Sequence, residues 1–245
     1  LFTPMSQRQD CLDNMHANTQ VPKVIGFERI SELSGNEDYH VASSFFWDIV
    51  TGERSLAFGG NSRREHFPAK DACMDFINDI DGPESCNTNN MLKLTEDLHR
   101  RNLQARYDDY YELATFNHIL STQHPEHGGY VYFTPARPRH YRNYSAPNEA
   151  MWCCVGTGME NHGKYGQFIY THAQELFCQS CICAKFTTDA TPDTSLVCTL
   201  NRHPNHTQYS GMMCIIKGIQ LRILPVYCKC VLGQIIRTNT EEIYF

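Results

Sequence analysis

The spacing of apolar residues along the first part of the chain predicts paired helices. Val24, Phe27, Ile30 and Leu33 recur at threes, and Pro22 suits a first helical position. Gly35 fits a helix stop, because glycine readily takes the left-handed conformation that ends a helix. Asn36 can cap a second helix, with Glu37 and Asp38 favourably placed in its first turn. Ala42, Phe45, Phe46 and Ile49 then form an i, i+3, i+4, i+7 stripe, so residues 21–50 read as two helices. Residues 51–83 are rich in Gly, Asn and Asp. Within them "FGGNSRREHFPAKD" and "NDIDGPE" read as long loops, which in compact domains are often functional. After Pro83 the helical signal returns: Met91, Leu94 and Leu98 share a face, and His99, Arg100 and Arg101 gather at the end. Tyr107, Tyr110, Tyr111, Ala114 and His118 form another stripe, read as packing. "EHGG" is a turn, "YVYF" (130–133) a short β-like run and "PARPRHYRNYSAP" a loop. From Gly158 to about His172 a further helical signal places Met159, Gly163, Gly166 and Tyr170 on one side.

Paired helices joined by functional-looking loops point to an all-α toroid or solenoid of helical hairpins, although no repeat of fixed period is legible. Beyond Phe177 the periodicity is lost. "TTDATPDTS" and "NRHPNHTQYSG" are loop-like, and "MMCIIKGIQLRILPVYCKCVLGQII" can give short strands. Cysteine usage breaks at the same place. Of twelve cysteines, five precede residue 177 and seven follow it. The expected organisation is therefore a domain over residues 1–177 and a tail of uncertain fold over 178–245. The abrupt break after "QELF" suggests a shifted reading frame or another sequence artefact in that tail.

Bulk composition narrows the function. At 245 residues, 41% hydrophobic and 20% charged, the chain is of ordinary globular make-up with room for a sizeable core. A net charge of -6 argues against a nucleic-acid partner, and no apolar run approaches the roughly 18 residues of a membrane helix. The opening "LFTPMSQRQD" has neither an initiating Met nor a signal-peptide pattern, so the chain reads as a fragment or processed product.

Three polar stretches carry candidate chemistry: "PESC" with Glu84 and Cys86, "WCC" with Cys153 and Cys154, and "RREHF" with Glu65 and His66. Thiolates with one carboxylate make a plausible tetrahedral zinc set. The spacing matches no zinc finger or ribbon, and nothing local proves that the two cysteine stretches meet. Buried thiols packing as small hydrophobes remain the alternative. Glu65, beside Arg63 and Arg64, can equally be a solvated surface charge. Trp152 can stack on a sugar or pack beneath the cysteines. Cys11 and Cys73 match nothing functional, and the spacings of "CQSCIC" (178–183) and "CKC" (228–230) fit no metal-cluster pattern.

A resemblance decides among these. "HANTQVPKVIGFERI", "FFWDIVTGERSLAFGGNSRREHFPAKD", "GPESCNTNNMLKLTEDL", "YDDYYELATFNHILSTQHPEHGGYVYFTP" and "MWCCVGTGMENHGKYGQFIY" run in this order. Together, over about residues 13–177, they resemble the β-L-arabinofuranosidases of glycoside hydrolase families 127 and 146. The resemblance implies that residues 1–177 are part of an (α/α)6 barrel. It implies a Zn2+ ion held by Glu84, Cys86, Cys153 and Cys154, with Cys153 as nucleophile and Glu65 as acid/base. Tyr132 matches an active-site tyrosine, while His16, Asn18 and Gln20 of "HANTQ" are weaker candidates for sugar contacts. The implied activity is release of L-arabinofuranose from plant-type oligo- or polysaccharides, in a bacterial periplasmic or cytoplasmic setting. Two other readings stay open: a non-catalytic carbohydrate- or protein-binding domain with a structural zinc, and a metal-free cysteine hydrolase using Cys153 with a histidine such as His162.

Overall fold

The computed structural model describes residues 1–172 together with the short stretches 176–178, 185–187, 196–200, 212–216 and 222–224. The chain divides into two units, Leu1–Tyr165 and Gly166–Phe245. The first unit is helical. Its α-helices are α1 (Phe2–Ser6), α2 (Ala17–Ser34), α3 (Glu37–Glu53), α4 (Cys73–Asn78), α5 (Ser85–Arg101), α6 (Ala105–Asn117) and α7 (Cys153–His162), with a 3-10 turn at Ile119–Thr122.

The helical hairpin predicted across residues 21–50 is present, and its joint is made by the predicted residues. Gly35 ends α2 in the left-handed region at φ 73, and Asn36 caps α3 by accepting the Asp38 amide at 3.0 Å. The hairpin starts earlier than its hydrophobic pattern suggests. Helix α2 begins at Ala17, so Pro22 lies inside it rather than at its first position. As the sixth residue of α2 it has no N–H to offer the Asn18 carbonyl, and the helix continues through it with one backbone bond fewer.

Helix α5 is the centre of the unit. It packs against α2, α3, α6 and α7 and buries Met91, Leu94 and Leu98 on the predicted face. Trp47 of α3 donates its indole N–H to Thr95 of α5 at 2.8 Å and meets Tyr107 edge-on with centroids 4.8 Å apart. Tyr107 and Tyr110 are buried core, in agreement with the packing reading of that stripe.

Between the stretches 58–71 and 78–84, which read as long loops, the chain forms the short helix α4. One expectation changes. The last helix spans Cys153–His162 instead of running from Gly158 to His172. Met159, on the side that the pattern shares with Gly163, is 63% exposed. Its neighbour Gly158 is the packing residue, since a Cβ there would stand 2.4 Å from the Tyr130 ring.

The second unit is described through short antiparallel strands. β1 (Tyr170–His172), β2 (Leu176–Cys178), β4 (Leu196–Leu200) and β5 (Met212–Ile216) form a sheet in the order β1-β2-β5-β4. β3 (Lys185–Thr187) pairs with β6 (Arg222–Leu224). The "CQSCIC" and "CKC" motifs and the suspected frame shift fall outside the described residues, apart from the backbone of Cys178. No described helix is long and apolar enough to cross a membrane.

Candidate active site

Two helix starts converge at one point. Glu84 is the N-cap of α5 and Cys86 lies in its first turn, while Cys153 and Cys154 are the first two residues of α7. A helix start carries partial positive charge, which favours anionic groups there. One carboxylate oxygen and three sulfurs gather within 4.8 Å of one another. Cys86 Sγ is 3.1 Å from Cys154 Sγ, and Cys153 Sγ is 3.9 Å from Cys154 Sγ. Both Cys153 Sγ and Cys154 Sγ stand 3.8 Å from Glu84 Oε1. Glu84, Cys86 and Cys154 are buried, and Cys153 is the exposed member.

The proton affinities reflect four acceptors crowded together and largely buried. Burial, reinforced by the neighbouring Cys154 charge, pushes the Glu84 carboxyl up to about 8. The hydrogen bond to Cys154, together with burial, drives the Cys86 thiol upward. That same bond pulls Cys154 down to about 6. Cys153 is raised, chiefly by partial burial.

Glu65 faces this cluster from a constrained loop. Ser62, Arg64 and Glu65 hold φ of 75, 47 and 68, a region each non-glycine residue occupies at a cost of about 1–3 kcal/mol. Main-chain bonds hold the loop: Ala17 N donates to Glu65 O at 2.7 Å, and Arg63 and His66 exchange bonds at 2.8 and 3.0 Å. Tyr132 donates its hydroxyl to Glu65 Oε1, and the Tyr132 oxygen is also 3.8 Å from Cys153 Sγ. Burial and the Glu65 contact hold the Tyr132 phenol far above its usual range, so it stays a donor. Ser85 anchors the tyrosine's strand-like run, since its amide donates to Tyr132 O at 3.1 Å and its hydroxyl to Val131 O at 2.9 Å.

The "HANTQ" residues divide. His16, the α2 N-cap, places Nε2 3.6 Å from Glu65 Oε2. Asn18 donates to Glu84 Oε1 at 3.4 Å and is itself fixed by Asn90 at 2.8 Å. Gln20 turns its polar atoms to neighbours on its own helix, Thr19 at 2.9 Å and Lys23 at 3.2 Å. Trp152, 40% exposed, meets Tyr132 edge-on at 6.0 Å. His66 is exposed and touches His16 ring-to-ring at 5.2 Å.

Comparison with known proteins places this arrangement. The family described as "Beta-L-arabinofuranosidase, GH127 catalytic domain" matches residues 1–167. The chain belongs to this GH127 family. No curated protein sequence gives a match. Among solved structures, a GH127 β-L-arabinofuranosidase from Geobacillus stearothermophilus T6 is similar with a TM-score of 0.58 at 16% identity, over 82% of this chain and 33% of that one. A second GH127 β-arabinofuranosidase gives 0.56 at 11% identity, over 89% and 44%. A protein titled "Glycoside hydrolase" gives 0.59 at 11%, over 86% and 48%. These likenesses establish the fold, part of a helical toroid. The chain spans a third to a half of the length of these neighbours.

Within the GH127 domain the thiol and carboxylate cluster suits a divalent metal. Four ligand atoms about 2.3 Å from a central ion lie about 3.8 Å apart, which is the spacing of three of the six pairs here. Glu84 Oε2 is buried without a hydrogen-bond partner. A cation would complete that oxygen and reverse the upward shifts of Glu84, Cys86 and Cys153. Sequence reasoning missed Thr157, whose hydroxyl is 3.1 Å from Cys86 Sγ. The i, i+4 spacing from Cys153 along α7 was its one legible signal.

Proposed function

We propose that this chain carries the reaction centre of a zinc-dependent, retaining glycoside hydrolase that releases L-arabinofuranose from plant-type glycans. The observation that supports it most is the line Cys153–Tyr132–Glu65. From Cys153 Sγ to the Tyr132 hydroxyl is 3.8 Å, and one further hydrogen-bond length of about 2.7 Å reaches Glu65. The sulfur and the carboxylate are therefore no more than about 6.5 Å apart, close enough for one sugar carbon to lie between a nucleophile and an acid/base.

The residues then take distinct roles. Glu84, Cys86, Cys153 and Cys154 hold Zn2+, which supplies positive charge that keeps the thiols deprotonated. Cys153, the exposed sulfur, attacks the anomeric carbon as the bond to the leaving oxygen breaks. Glu65 gives that oxygen its proton. Glu65 then takes a proton from water, whose oxygen displaces Cys153 and restores the thiolate. Tyr132 orients both groups through its hydroxyl, and His16 borders Glu65 where the sugar enters. Gln20, turned toward its own helix, supports the wall of the sugar site.

The test combines metal and covalent readouts. Elemental analysis is expected to give about one zinc per chain, lost in Cys86→Ala. Incubation with an aryl β-L-arabinofuranoside and acid quench is expected to leave one pentosyl group on Cys153 in Glu65→Gln. Zinc without adduct or hydrolysis would replace this reading with the structural-zinc binding domain. Hydrolysis that survives chelation would replace it with a metal-free cysteine hydrolase.

A further inference from the structure

Glu65 occupies left-handed backbone between two charges that could capture it. Arg63 and Arg64 precede it directly, and a free guanidinium there would pair with its carboxylate. The structure diverts both to one group. Asp79, just past the end of α4 with its side chain 6% exposed, accepts Arg63 Nη1 at 3.0 Å and Arg64 Nε at 2.8 Å on the same oxygen, Oδ2. Its other oxygen accepts the Asp81 amide at 3.1 Å. Arg63 also reaches Asp75 Oδ2 at 3.2 Å, and the Arg64 amide donates to Asp81 O at 3.0 Å. Burial pushes the Asp79 carboxyl up, but the Asp81 amide and the two arginines outweigh it and hold it below the usual carboxylate range. The charge is thus present wherever the enzyme works.

We infer that Asp79 is a positioning residue for Glu65: by clamping Arg63 and Arg64 it fixes the left-handed turn at residues 64 and 65 and keeps both guanidinium groups off the Glu65 carboxylate. The inference rests on the reading of Glu65 as acid/base. It adds that the α4 segment, which supplies none of the metal-binding or sugar-facing side chains named above, sets the geometry of that group. An acid/base group misplaced by about 1 Å can lose about 100-fold in rate.

The experiment uses the full chain with zinc bound and an aryl β-L-arabinofuranoside. Asp79→Asn is expected to lower kcat by about 10–100-fold with KM within about twofold, because the substrate site is untouched. Adding Asp79→Asn to Glu65→Gln is expected to cost nothing further, since a residue acting through Glu65 has nothing left to position. Amide exchange is expected to speed at Arg64 and Ala17, whose N–H groups bond the loop, and to stay unchanged in α5. Should Asp79→Asn fail to fold, Arg64→Gln removes one arm of the clamp at a side chain that is 66% exposed and predicts the same local exchange pattern. Multiplicative losses in the double variant, unchanged exchange at Arg64 and Ala17, or exchange rising throughout the domain would overturn the inference. A wild-type chain that binds zinc but hydrolyses nothing would sink the reading of Glu65, while the exchange pattern in the variants would still decide the clamp.

Discussion

Two buried polar clusters sit on the same helix, α5, and they are built on opposite rules. One, around His118, is closed: Thr88 of α5 and Thr134 bond the two ring nitrogens at 2.9 and 3.0 Å. Every polar atom of that ring has a partner of the right kind, and burial holds the imidazole neutral, its pKa lowered to about 3. The other, at the start of α5, is open: three thiols and a carboxylate face one another, with Glu84 Oε2 left unpartnered. Complementary neutral groups make structure. Like-signed acceptors at two helix starts make a place for a cation, and with it for chemistry.

The largest expected effect strikes the open cluster alone. Cys153→Ala should lower kcat for an arabinofuranoside by at least about 1000-fold, while in the metal-stripped state its folding midpoint should match that of the metal-stripped wild type, because that side chain is exposed. Steady-state kinetics beside thermal melts check both halves. Loss of fold in Cys153→Ala would erase the distinction between the clusters.

Metal removal comes next. Chelation should lower the melting temperature by several degrees, on the order of the binding linkage for a tight ligand, about 3–4 kcal/mol at 100–1000 times Kd. His118→Ala should instead destabilise by about 2–4 kcal/mol whether or not metal is present, since it orphans Thr88 and Thr134 and opens a cavity. Urea titrations with and without zinc separate the two.

Acid sharpens the comparison further. The His118 pKa is about 3 in the fold against an ordinary 6.5, so between those values the unfolded chain binds the extra proton. Stability from this group is present above about pH 6.5 and falls as pH drops toward 3. Melts across that window should show a slope that His118→Gln flattens. The smallest effect concerns Thr157: Thr157→Val should weaken zinc by about 10-fold through loss of its contact with the Cys86 sulfur, measured by competition with a chromophoric chelator.

Much of this was written in local sequence. Gly35 and Asn36 make the α2–α3 joint because left-handed backbone and a short side-chain acceptor are properties of single residues. Met91, Leu94 and Leu98 share a face because helical period alone dictates it. Reading failed where a neighbour overrides the pattern. The pattern puts the last helix from Gly158 to about His172, but it runs Cys153–His162 and turns Gly158 toward Tyr130. Pro22 looked like a helix start, but α2 begins five residues earlier at Ala17, whose amide donates to Glu65 O from another part of the chain. The letters "PESC" and "WCC" named their residues without showing that they meet.

By itself, then, the sequence determined the helical hairpins, the residue types able to hold a metal and, through a dense set of motifs, the family. Tertiary structure alone decided that Cys86 and Cys154, 68 residues apart, come within 3.1 Å, and that Tyr132 joins Cys153 to Glu65. Secondary structure follows from interactions between residues a few positions apart, which a sequence displays. Proximity between helix starts follows from how α5 and α7 pack, and packing depends on every surface they bury.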